Sequence, residues 1–106
     1  RATRNYVARG ITDVKDQKQA MKFADLIQKE RGLDEEEADK IAVATLQYRQ
    51  GLTSNGNYNI LFDKKQRNKY IDVKVDTYVG SASKDAIRRL HDDLIENVRD
   101  FDRANR

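Results

Sequence analysis

The sequence predicts an α+β domain in the order helix, helix, β-hairpin, helix, with an antiparallel two-stranded hairpin packed on a small helical core. Three patterns predict it. From Tyr70 to Val79 the chain alternates, so that Ile71, Val73, Val75, Thr77 and Val79 share one side of an extended strand. Tyr70, Asp72, Lys74, Asp76 and Tyr78 then share the other. Ala20, Phe23, Ala24 and Ile27 repeat at helical intervals, and a second helical segment follows directly, giving a helix pair over residues 13–51. Ile87, Leu90, Leu94, Ile95, Val98 and Phe101 form the apolar stripe of a terminal helix over residues 83–103.

Residues 1–12, with three arginines and no clear period, read as an N-terminal arm. Asp13 is the expected N-cap of the first helix, with Asp16 favouring its positive end. Gly32 can take the left-handed C′ position, and Leu33 supplies the apolar contact that follows it. Asp34 caps the second helix and Glu37 completes a capping box. That helix carries the run Ile41-Ala42-Val43-Ala44-Thr45-Leu46, apolar on more than one face, so it is expected to be central. Gly51 and Leu52 should end it as Gly32 and Leu33 end the first. Thr53 to Asn57 form a turn cluster. Tyr58 to Phe62 then read as the first strand, Asp63 to Lys69 as the hairpin loop, and Tyr70 to Val79 as the second strand, over residues 58–79. A lone hairpin is marginal in water, so its apolar face must lie on the helices. Gly80 breaks the strand, and Ser81 or Ser83 caps the last helix.

A chain of 106 residues fits one domain, residues 1–106. Charged residues make up 37% of it and hydrophobic ones 38%. That balance borders on disorder, but the apolar residues fall in periodic patterns, so the charges belong to a solvated surface. No apolar run approaches the roughly 18 residues of a membrane span. The expectation is a soluble protein, cytoplasmic by default, although neither compartment nor redox environment can be inferred from a cysteine-free sequence. The first ten residues hold no hydrophobic signal core, and the chain opens without Met, as a processed or trimmed product would. It has no Asn-x-Ser/Thr sequon. Net charge is +3, with 21 cations against 18 carboxylates, so a positive field must come from local clustering.

The chemistry-bearing residues are few. His91 is the sole histidine, and its helical neighbours Ile87, Arg88, Leu94 and Ile95 include no carboxylate to orient it as a base. It reads as structural. One histidine cannot build a transition-metal site, and no EF-hand pattern is present. The acidic run Asp34-Glu35-Glu36-Glu37 is more simply a helix start. The glycines are isolated, with no phosphate-cradling loop and no Gly-x-Ser-x-Gly. Glycosidase-like carboxylate pairs leave no signature in spacing, but a thin-cored chain is a poor host for a cleft. The expectation is no enzyme, no cofactor and no metal.

Two surfaces remain. Lys64, Lys65, Arg67 and Lys69 put four cations in six positions of the hairpin loop, near the aromatics of both strands. With Arg88 and Arg89 on the last helix they could engage phosphates. The bland reading is a polar tip whose lysines discourage edge pairing. A helix-turn-helix reader at Gly32 is rejected, because carboxylates at the start of the second helix would meet the DNA backbone. Tyr70, Asp72, Lys74 and Tyr78, on the outer strand face, resemble a protein contact surface, since tyrosine is enriched at interfaces. Segment 84–106 reads as a salt-bridged face. The favoured function is a non-catalytic module, a small accessory or regulatory protein docking on a protein partner. The alternative is nucleic-acid binding through the basic loop 64–69 with Arg88 and Arg89. Amphipathic helices also leave homo-oligomerisation open.

Overall fold

The computed structural model describes residues 1–78 and 80–106, and of Ser81 the backbone only. Five α-helices follow one another: α1 (Arg4–Val7), α2 (Val14–Arg31), α3 (Glu35–Ser54), α4 (Lys64–Val75) and α5 (Ser81–Ala104). A 3-10 turn, Tyr58–Phe62, lies between α3 and α4. Among the described residues there is no strand, so the expected α+β architecture gives way to an all-helical one.

The helix pair forms where local signals place it. The Asp13 carboxylate accepts the Asp16 N–H at 3.0 Å, and Asp34 accepts that of Glu37 at 2.7 Å. Gly32 closes α2 in the left-handed conformation at φ 64°. Gly51 does not close α3. The helix runs one turn further, because Leu52 gains complete burial beneath the 3-10 turn and α4, and the left-handed turn falls at Gly56 instead. The arm is not free either. Its α1 turn buries Tyr6 completely and Ile11 nearly so, against α2 and α3.

The hairpin is replaced by the 3-10 turn and α4. Asp63 starts that helix by accepting the N–H groups of Lys65 and Gln66, and Lys64 to Lys69 are mostly strong helix formers. Coiling then separates residues that an extended chain would align. Ile71 and Val75, one turn apart, are buried, while Val73 is 60% exposed. The alternation was real but shorter in consequence than a lone hairpin needs; burying Ile71 and Val75 on α5 requires no second strand. Val79, the last residue of the expected strand, lies outside the described residues. The last helix begins at Ser81, with Gly80 at its N-cap and Ser83 inside it.

α4 runs antiparallel to α5, tied by Arg67–Glu96 (3.6 Å), Asp72–Arg88 (3.7 Å) and Asp76–Lys84 (3.6 Å). The interior has two clusters. One joins Tyr6, Phe23, Ile27, Leu46 and Phe101 between α1, α2, α3 and the end of α5. The other joins Leu52, Leu61, Ile71, Val75, Ile95 and Val98. α5 serves both. The radius of gyration, 14.5 Å, exceeds the roughly 13 Å of a compact chain this long, so the body is elongated and its helix faces are widely exposed.

Candidate nucleic-acid interface

The outer face expected of the second strand does not exist on a helix. Tyr70 is half-buried against the second cluster, with the Lys74 ammonium 5.5 Å from its ring centre. Asp72 pairs with Arg88, and Tyr78 lies past the end of α4, half-exposed. Three of these four residues are thus engaged within the molecule. The basic set also divides. Arg67 reaches Glu96 and Arg88 reaches Asp72 and Asp85, so both mainly join helices. Lys64 and Lys65 are exposed in the first turn of α4 and Lys69 at its middle, and Arg89 is exposed on α5. Arg88 lies farther along the antiparallel pair, beside Asn68 and Asp72. The set is spread along the two helices rather than gathered at a loop tip.

Antiparallel pairing instead brings the start of α4 beside the C-terminal half of α5. There Arg99 and Arg103 project at i and i+4 from one side of α5, and Arg106 follows just past its C-cap. With Tyr58 and Phe62 they line an open groove of about 460 Å³. The 3-10 turn presents the Phe62 ring 69% exposed, edge-on to Tyr58 at 5.9 Å. Tyr58 is fixed by its hydroxyl, which donates to Asp102, and by the Arg49 guanidinium 5.1 Å from its ring centre. Burial, then Asp102, push the Tyr58 phenol above its ordinary range, so it stays a protonated donor.

The arginines are not equivalent. Arg103 is held by both oxygens of Glu30, at 3.0 and 2.8 Å, and is largely neutralised. Arg99 donates to the Leu61 carbonyl at 2.7 Å, which anchors it under the turn, and its nearest carboxylate, Glu96, is 4.0 Å away. Among the described residues Arg106, Lys64 and Lys65 form no ion pair. Two lysines in the first turn of α4 add to the positive end of its dipole, where the N-cap carboxylate of Asp63 partly offsets them. The result is an exposed Phe62 ring, edge-on to Tyr58, in a groove lined by Arg99, Arg103 and Arg106 and also by Asp100 and Asp102. The sequence places Tyr58 and Phe62 on a strand and Arg99 and Arg103 on a salt-bridged face; the helical spacing of Arg99 and Arg103 is the signal available.

The other polar clusters are structural in character. Tyr48 on α3 and Nδ1 of His91 on α5 lie 3.1 Å apart, their rings tilted at 5.7 Å. Burial, then Lys74, lower the His91 pKa, while Asp92 opposes them, so the ring is held neutral. At the other end Asp39 is buried with Arg1 at 3.2 Å and accepts the Tyr6 hydroxyl. Among the described residues no three His, Asp or Glu side chains converge as a metal site would require. No helix there is long and apolar enough to cross a membrane. No family model, no curated protein and no solved structure matches the chain.

Proposed function

We propose that the chain is a non-catalytic binding module whose partner is a nucleic acid held at the groove that Phe62 shares with Arg99, Arg103 and Arg106. One observation carries this: the exposed Phe62 ring stands on an anchored turn with Arg99 and Arg106 beside it. A single exposed apolar side chain is ordinary. A ring bordered by guanidinium groups with free donors suits a base stacked on the face and a phosphate at the edge. What supports a non-catalytic reading is a histidine tied to Tyr48 rather than to a carboxylate, and a groove that is open rather than enclosing. A protein partner on the Tyr70, Asp72, Lys74 and Tyr78 surface has less support, because the first three are engaged internally.

Fluorescence anisotropy with labelled 12-nucleotide single strands and duplexes tests the proposal. Binding at 50 mM salt that weakens at 200 mM is expected. Phe62→Ala, and separately Arg99→Ala with Arg106→Ala, should each cost about tenfold in affinity. Absence of binding to either form at 50 mM salt, or full affinity in both variants, would overturn it.

A further inference from the structure

Asn105 donates from Nδ2 to the Gln19 carbonyl at 3.0 Å and to the Phe101 carbonyl at 2.9 Å, which fixes the end of α5 against α2. On one side of that junction Arg106 lines the Phe62 groove. On the other, Asn105 lines a second groove of about 380 Å³ with Lys15, Lys18 and Lys22, and no carboxylate stands in its wall.

The lysine row is placed where helix physics disfavours it. Lys15 and Lys18 are three apart and Lys18 and Lys22 four apart, so like charges face each other along the outer side of α2. Lys15 also sits in the first turn, against the helix dipole. Of the nearby carboxylates Asp25 pairs with Arg1, Asp100 with Arg31 and Asp102 with Arg49; Asp16 accepts from the neutral Gln50 amide and keeps its charge. The three lysines form no ion pair among the described residues, and their field faces solvent. The row rises about 10 Å along α2.

We infer that the two grooves are one path for a single-stranded nucleic acid, with a base on Phe62 and phosphates passing Arg106 and Asn105 to Lys15, Lys18 and Lys22. This rests on the binding function proposed above and specifies its ligand. A duplex does not fit the path. Its bases are stacked on both faces and leave none for Phe62. It is also stiff over about 50 nm, whereas this path turns over a helix end in a body 39 × 27 × 25 Å in extent.

Anisotropy with labelled dT12 and a 12-base-pair duplex decides the matter. The wild-type chain should bind dT12 about tenfold more tightly than the duplex. Lys15→Ala, Lys18→Ala and Lys22→Ala combined should lower dT12 affinity about tenfold and flatten the slope of log affinity against log salt by about two. Alanine at these exposed positions favours helix, and far-ultraviolet circular dichroism verifies the fold. Arg4→Ala, Lys40→Ala and Lys84→Ala combined remove equal charge elsewhere and should leave dT12 affinity within about twofold, as expected for cations off the path. Wild-type affinity in the lysine variant, alongside a loss in Phe62→Ala, overturns the path and leaves the binding function standing. Equal loss in the charge-matched variant, or equal affinity for duplex, also overturns the path. Failure of the wild-type chain to bind either probe sinks both.

Discussion

Asp39 and Arg1 show what a charge in the interior demands. Their side chains are 2% and 5% exposed, 3.2 Å apart, and Asp39 also accepts the Tyr6 hydroxyl. Burial, with Asp39 beside it, pushes the Tyr6 phenol far above its ordinary range, so it remains a donor throughout the accessible pH scale. Removing Asp39 takes the buried acceptor from Tyr6 and leaves Arg1 with the exposed Asp25, at 3.5 Å, and Gln28. Asp39→Ala should therefore cost about 3–5 kcal/mol. Tyr6→Phe, which removes one bond to a charged acceptor, should cost about 2 kcal/mol. Urea unfolding at neutral pH measures both, and an Asp39→Ala cost below about 1 kcal/mol would show that water reaches the pair. None of this is legible in the sequence, because Asp39 on α3 is more than thirty residues from Arg1 and Tyr6 in the arm, with no shared spacing. Phe62 was equally hidden: its neighbours in the groove are brought together only by the antiparallel approach of α4 to α5.

Caps and stops were legible at the scale of elements, since Asp13, Asp34 and Gly32 act within a few residues of themselves. α4 was not. Its β-branched alternation suggested a strand, yet the same residues supply an i, i+4 apolar pair, and which period wins depends on what lies opposite. α5 offers a groove for Ile71 and Val75; no described segment offers an edge to pair with. The two periods make opposite claims about Val73 and Val75. On a strand both would face inward, whereas on α4 Val75 is fully buried and Val73 is 60% exposed. Val73→Lys should thus be neutral within about 0.5 kcal/mol. Val75→Lys, which buries an unpaired ammonium, should cost more than about 3 kcal/mol or prevent folding. Parallel urea titrations of the two variants decide between the periods, and equal damage would restore the strand. The basic run 64–69 was correctly seen as cationic and wrongly placed at a hairpin tip. Its lysines mark the start of a helix, and the aromatic partner is the turn before it.

Across the whole molecule, His91 joins three helices: it meets Tyr48 of α3, lies near Lys74 of α4, and belongs to α5. Its pKa is lowered in the fold by burial and Lys74, so the unfolded chain takes up a proton more readily than the folded one. The stability this contributes is present above the ordinary histidine range near pH 6.5 and is lost as pH falls from there through the folded value. Unfolding midpoints should drop between pH 7 and pH 5, and His91→Gln should remove that part of the fall. An unchanged slope in the variant would place its origin elsewhere.

The two-part interior also sets a timetable. Phe101 completes the first cluster and Val98 the second, so neither has its full lining until α5 is present. A ribosome adding about 5–20 residues each second needs several seconds to go from Ser54 to Phe101. Throughout that interval α2 and α3 can embrace each other, but the side of Phe23 that should meet Phe101 stays uncovered. The nascent chain is thus open to chaperones, or to sticking, until α5 emerges.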